Sequence, residues 1–256
     1  MTYSIDLTGK VALITGAAQR TGLAIAEAMA AAGATVHVND IRADAAEEAA
    51  ASIRAAGGSA IAAPFDVTDL AQVQAAVAAI PELHILVNNA GNAGVHGWNF
   101  GPFSESDPQT WERYFAINLH GVMHCTHAAL PKLQANGFGR IVTIISDSAR
   151  TGDQNLAPYA AAKAGAAGFM RSIARENGRH GITVNCVSLG SIAYDLDEAR
   201  SGEYSEQTKA MYKSYIVRRP GLPEDVAPLV TLLASPLAAW ITGQTIPVNG
   251  GYSLTL

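Results

Sequence analysis

The chain has 256 residues, of which 49% are apolar and 15% charged, and it carries a net charge of −5. That length allows a large buried core, and the balance excludes a disordered chain or a broadly basic surface for nucleic acid or anionic membrane. No apolar run approaches the roughly 20 residues that span a bilayer.

Chain order begins with MTYSIDLTGK (1–10), which lacks the basic-then-apolar order of a secretory leader. Short β-branched runs then alternate with Ala-rich stretches. The predicted strands are 11–15 (VALIT), 35–39 (TVHVN), 59–65 (SAIAAPF), 84–89 (HILVNN), 140–145 (RIVTII), 182–188 (ITVNCVS) and 245–249 (TIPVN). They lack a clean apolar–polar alternation, as strands covered on both faces do. Helices are expected near 21–32, 43–56, 69–79, 108–135, 157–179 and 223–234. This pattern predicts an α/β fold, a doubly wound and mostly parallel seven-stranded sheet with helices on both faces. With no linker, repeat or low-complexity tract, the whole of 1–256 reads as one domain. The alternation breaks at 190–222, a long polar insertion beyond a strand end, where a substrate lid is expected; a plain surface loop is the alternative. Cys125 and Cys186 lie far apart in apolar settings and read as buried free thiols of a reducing compartment, which points to the cytoplasm.

The first strand runs into LITGAAQRTGLA (13–24). A strand, a small-residue turn (Gly16, Gln19, Arg20, Thr21) and Gly22 opening a helix present backbone amides and a positive helix end to a pyrophosphate. Glycines alone are weak evidence, but Asp40 closes the second strand, where a carboxylate can accept both hydroxyls of an adenosine ribose. Capping of the next helix is the alternative role for Asp40.

The chemistry is carried further along. Tyr159 and Lys163 in PYAAAKAG stand at i and i+4, on one helix face, and Ser146 follows a strand thirteen residues earlier. Hydride transfer between an alcohol and a ketone needs a group to give or take the hydroxyl proton. A phenol, with a pKa of about 10, suits that task once a neighbouring ammonium and a nicotinamide cation favour its ionised form. Ser146 can donate to the developing alkoxide.

These residues, with TGAAQRTG (15–22), DV (66–67), NNAG (88–91), Asn118 and LGSI (189–192), resemble the short-chain dehydrogenase/reductase family in order and spacing over nearly the whole chain. The resemblance implies a Rossmann-like fold, adenine contact at Asp66 and Val67, and a nucleotide-side strand end at Asn88, Ala90 and Gly91. It also implies a proton relay through Asn118, carboxamide contact near Gly190 and Ile192, and ribose contact by Tyr159 and Lys163. The TIPVNGG edge and the 108–135 and 157–179 helices would be subunit surfaces of a homotetramer or homodimer. The YAAAK spacing favours carbonyl and alcohol chemistry over C=C reduction.

The chain departs from the family pattern at Arg20, usually glycine, and at Leu189 and Tyr194. Arg20 has the charge to clamp a pyrophosphate, to meet an anionic substrate or to reach a 2′-phosphate. Asp40 would repel that 2′-phosphate, so NAD is favoured over NADP, with Arg42 keeping NADP open. His96, Trp98 and Tyr194 are substrate-side candidates. Asp147 and Arg150 read as a local loop ion pair beside Ser146. His120, His124 and His127 share a helix face without the carboxylate of a zinc site, so no metal is expected. The expected function is an NAD(P)-dependent alcohol dehydrogenase or carbonyl reductase acting on a small secondary alcohol or ketone. An NADP-dependent ketone reductase and a non-catalytic nucleotide-binding regulator are the alternatives.

Overall fold

The computed structural model describes residues 4–91, 101–193 and 195–254. The seven strands are β1 Val11–Ile14, β2 Thr35–Val38, β3 Ser59–Ala62, β4 Ile85–Asn88, β5 Gly139–Ser146, β6 Ile182–Leu189 and β7 Thr245–Val248. Every pairing is parallel, and the order across the sheet is β3-β2-β1-β4-β5-β6-β7. The order reverses between β1 and β4, so the loops leaving their C-terminal ends diverge and open a crevice there.

The helices in chain order are α1 Arg20–Ala31, α2 Ala43–Ala55, α3 Leu70–Ala79, α4 Pro108–Phe115, α5 Gly121–Ala135, α6 Ser148–Thr151, α7 Ala157–Asn177, α8 Leu196–Ser201, α9 Glu206–Tyr212 and α10 Pro223–Ala234. Successive strand side chains point to opposite faces. Ile14, Val142 and Val187 accordingly pack with Ile25 and Met29 of α1 and Val226 and Val230 of α10. Leu13, Ile141 and Ile145 pack on the other face with Val73 of α3, Val122 and Leu133 of α5, and Met170 of α7. Both cysteines are buried free thiols.

One expectation is corrected. The single helix over 108–135 is interrupted by a π-helical turn at Ala116–His120 between α4 and α5. The 190–222 insertion carries α8 and α9, and a parallel bridge between Ile192 and Gly221 closes its base.

Candidate active site

The nucleotide end is built on close backbone approach. Gly16 has φ +61, and a Cβ there would lie 2.9 Å from the Ala90 Cα. A Cβ on Gly22 would strike Gly16 O and the Asn89 amide, so the first turn of α1 closes tightly on the strand ends. Gln19 precedes α1 without capping it through its side chain, and the first turn holds no acid. The amides of that turn therefore face the crevice with the positive end of the helix behind them, a cradle that fits a dinucleotide pyrophosphate.

Arg20 occupies the left-handed region with φ +53. A non-glycine residue pays roughly 1–2 kcal/mol for that conformation, which explains why glycine is the usual occupant of such a turn. Thr21 and Gly22 continue the helix from it.

Three residues hold this loop: Asn39, which no motif singles out, and Asn89 and Thr15, which belong to NNAG (88–91) and TGAAQRTG (15–22). Asn39, fully buried, accepts from Gly16 N at 3.3 Å and donates to Ala63 O and Phe65 O, each at 3.0 Å. Asn89 donates to Thr15 O and Gly16 O, both at 2.9 Å. Thr15 Oγ1 accepts in turn from the amides of Asn89 and Ala90 at 3.0 Å.

Asp40 lies just beyond β2 and is largely buried; its Oδ1 accepts from the Arg42 amide at 3.1 Å and from Arg42 Nε at 3.4 Å. Arg42, not Asp40, is the N-cap position of α2, so the capping role is set aside. Asp66 Oδ1 accepts from the amide and hydroxyl of Thr68, both at 2.8 Å. Val67 is buried, packed where Gly121 leaves room for it, and its carbonyl meets His124 Nδ1 at 3.0 Å. That contact accounts for His124; His120 and His127 are exposed, and among the described residues no cluster of three or more His, Cys, Asp or Glu side chains is arranged to hold a metal.

Asn88 holds its strand end from behind. Its side chain turns behind the strand, where it donates to Thr126 Oγ1 at 3.2 Å and Thr143 Oγ1 at 3.3 Å and ties β4 to α5 and β5. Gly91 faces the crevice: a Cβ there would sit 2.8 Å from Lys163 Nζ and 2.9 Å from Asn118 Oδ1.

At the chemical end, Ser146 closes β5, and Tyr159 and Lys163 sit on α7 two and six residues after its start. Ser148 is a further residue of the site: its hydroxyl donates to Ser146 Oγ at 2.9 Å. Ser146 lies close enough to the Tyr159 phenol to favour its ionised form. Lys163 is buried, donates to Ile144 O at 2.9 Å and lies 5.9 Å from the centre of the Tyr159 ring. Burial brings its pKa down to about 8. In the protein by itself burial also prevails at Tyr159, pushing the phenol up to about 12 against the pull of the Ser146 hydrogen bond. Lysine-driven lowering, the expectation from the sequence, is therefore not what this arrangement yields alone. Asn118 lies on the π turn, fully buried, with its Nδ2 donating to Tyr114 O at 3.0 Å.

The far wall is the end of β6. A Cβ on Gly190 would meet the Asn249 Cα at 2.9 Å, and Gly190 N donates to Val248 O at 3.2 Å. Around Ile192 the bridge bonds are made by Ser191 O and Ala193 N, so the Ile192 peptide faces the opposite side. Asp147 is also more than a loop residue. Its ion pair with Arg150 is present at 3.2 Å, but the buried carboxylate also accepts from Ser188 Oγ at 2.5 Å, Asn249 Nδ2 at 2.6 Å and Ser253 Oγ at 2.7 Å. Burial alone would raise its pKa; these hydrogen bonds and Arg150 bring it below the usual carboxylate value. His96, Trp98 and Tyr194 lie outside the described residues.

A family model described as Enoyl-(Acyl carrier protein) reductase matches residues 16–253. The chain is 34% identical over 252 residues to the 7alpha-hydroxysteroid dehydrogenase of Escherichia coli K12, covering 97% of this chain and 96% of that one. The chain belongs to the short-chain dehydrogenase/reductase family. It is also 35% identical over 251 residues to the 3-oxoacyl-[acyl-carrier-protein] reductase FabG of E. coli K12, across 96% and 98% of the two chains. A crystal structure from Agrobacterium tumefaciens, assigned provisionally as a gluconate dehydrogenase, superposes with a TM-score of 0.89 at 29% identity over 98% of both chains. This short-chain dehydrogenase/reductase is thus an oxidoreductase with the family's dinucleotide-binding architecture. Among its described residues no helix is long and apolar enough to cross a membrane.

Proposed function

We propose that this enzyme interconverts a secondary alcohol and a ketone, with NAD preferred over NADP. The carrying observation is the grouping of Ser146, held by the Ser148 hydroxyl, with Tyr159 and a buried lysine at the C-terminal edge of the sheet. The dinucleotide, when bound, supplies the hydride acceptor for oxidation or the donor for reduction. Tyr159 takes the hydroxyl proton as the alcohol is oxidised and returns it to oxygen in the reverse direction. Ser146 donates a hydrogen bond to the same oxygen and holds the carbonyl carbon in line. Lys163 would pass the proton onward from the phenol, with Asn118 anchoring the relay beside it by holding a water over Gly91.

Gly16, Gln19, Arg20, Thr21 and Gly22 would hold the pyrophosphate, Asp40 the adenosine ribose, and Asp66 and Val67 the adenine. Ala90 and Gly91 would receive the nicotinamide ribose with Tyr159 and Lys163, and Gly190 and Ile192 the carboxamide. NAD is preferred because Asp40 stands at the end of β2, where its carboxylate can accept the ribose hydroxyls, and because Arg42, the cation that could meet a 2′-phosphate, is already engaged by it. The three residues between Tyr159 and Lys163 support carbonyl rather than C=C chemistry. Exposed Leu237 and Trp240 beside β7 support a homotetramer or homodimer, and the reduced thiols support a cytoplasmic enzyme.

Titration with NADH and then NADPH, followed by energy transfer from tryptophan, tests the cofactor choice; tighter NADPH binding would overturn it. Tyr159→Phe tests the chemistry: turnover of a ketone panel should vanish while dinucleotide affinity stays within about two-fold, since one hydroxyl is removed and no charge.

A further inference from the structure

Four tyrosines line the side of the cleft formed by the insertion and the C-terminal segment. Tyr204 and Tyr212 lie 6.2 Å apart, Tyr212 meets Tyr215 edge-on at 5.3 Å, and Tyr215 stacks on Tyr252 at 5.0 Å. Their hydroxyls tie this wall to both halves of the site. Tyr212 Oη and Ser191 Oγ are 3.1 Å apart, and Tyr215 Oη accepts from Ser191 N at 3.1 Å, next to Ile192. At the other end Tyr252 Oη donates to Asp153 Oδ1 at 3.1 Å, and Asp153 lies six residues ahead of Tyr159. This wall joins the end of β6 to the loop that leads into Tyr159, and Asp153 at its far end lies close enough to act electrostatically on the Tyr159 phenol.

Asp153 is half-buried, and among the described residues no Lys, Arg or His forms an ion pair with it. Its charge also opposes ionisation of Tyr159, Tyr215 and Tyr252. A carboxylate that hinders the acid/base phenol is a liability unless it meets something in the cleft. It accepts hydrogen bonds only, and with one oxygen engaged by Tyr252 the other has acceptor capacity for a ligand donor. The Tyr252 oxygen, whose proton goes to Asp153, is an acceptor as well.

We propose that Asp153 and Tyr252 determine specificity by accepting a hydrogen bond from a second hydroxyl of the substrate, so that the enzyme selects neutral diols and hydroxyketones over simple alcohols and over carboxylates. This rests on the alcohol/ketone reading above and narrows it. Simple ketones offer no donor to the half-buried Asp153 and forgo that charge-assisted bond, and carboxylates meet like charge.

Initial rates with cyclohexanone, 2-hydroxycyclohexanone, 3-hydroxycyclohexanone and 3-oxobutanoate, in wild type, Asp153→Asn and Tyr252→Phe, test it. A hydrogen bond to a charged group corresponds to about a 10- to 100-fold preference in kcat/KM for a hydroxyketone over cyclohexanone. Asp153→Asn should reduce that preference at least several-fold, and improve 3-oxobutanoate relative to cyclohexanone, whatever the change common to all ketones from removing a charge near Tyr159. Tyr252→Phe should lower the preference less, since the carboxylate remains. Equal use of cyclohexanone and both hydroxyketones by the wild type, or an unchanged preference in Asp153→Asn, would overturn the proposal.

The same ligands are also titrated into Tyr159→Phe with NADH bound, a measurement that needs no turnover. Tighter binding of a hydroxyketone, lost on adding Asp153→Asn, supports the proposal even if no ketone is reduced, an outcome that would sink the oxidoreductase chemistry alone. Equal binding of all ligands overturns it.

Discussion

Lys163 Nζ and Asn118 Oδ1 converge on one point in front of Gly91, within 2.8 and 2.9 Å of where a methyl group would stand. Glycine is required there for what it omits. Gly91→Ala should fold, because the conflict falls on two polar side-chain tips and not on the core. It should lower kcat about 10- to 100-fold by pushing the amine and amide apart. Stopped-flow rates beside an unchanged circular dichroism spectrum would show this.

Arg20 holds a conformation suited to glycine, and the proposed phosphate contact is what its charge would supply in return. Arg20→Gly should stabilise the fold by up to about 1 kcal/mol, after the greater chain entropy of glycine is counted, and so raise the urea midpoint. It should weaken NADH binding about ten-fold through loss of a charge-assisted phosphate contact. A variant both less stable and equally tight in binding would refute that reading.

Lys163 makes the protein less stable than its shape allows. Its folded pKa is about 8, below the unfolded value, so the unfolded chain binds the proton more tightly and stability rises as pH increases from about 8 to 10.5. Lys163→Met should therefore be inactive yet about 1–3 kcal/mol more stable at pH 7, even after losing the bond to Ile144 O. The advantage should shrink toward pH 10 in denaturant titrations of the two proteins.

Asp147 has the opposite sign. Its folded pKa lies below the unfolded one, so its contribution is whole above about pH 4 and is lost as pH falls through the folded value. Asp147→Asn should cost about 2–3 kcal/mol at pH 7, and the gap to wild type should close in acid. Urea unfolding at pH 7 and pH 3 measures both.

All seven strands and the Tyr159, Lys163 and Ser146 set are visible in the sequence, because apolar runs and an i,i+4 pair are local patterns. The π turn at Ala116–His120 is not: an uninterrupted helical pattern runs through it, and the reason for the break is the buried placement of Asn118 against α4. Asn39 is equally silent, since nothing local distinguishes an asparagine that ends a strand from one that holds a loop 23 residues away; Asn89 is legible only through the NNAG motif. Asp147 was half legible. Its pairing with Arg150 is three residues distant, whereas its stronger partners are 41, 102 and 106 residues away. The phenol pKa of Tyr159 depends on surrounding density, which no spacing rule conveys.

Those last separations also set an order of events. Closing a loop of 106 residues between Asp147 and Ser253 has a large entropic cost, repaid only when both ends are already structured. During refolding the sheet and helices should return before the carboxylate beside Ser146 finds its partners. An early compact species would carry the tyrosine and lysine yet lack a finished neighbourhood for the serine. Recovery of ellipticity would then run ahead of recovery of catalysis, and the interval between them would time the docking of the final strand's trailing segment.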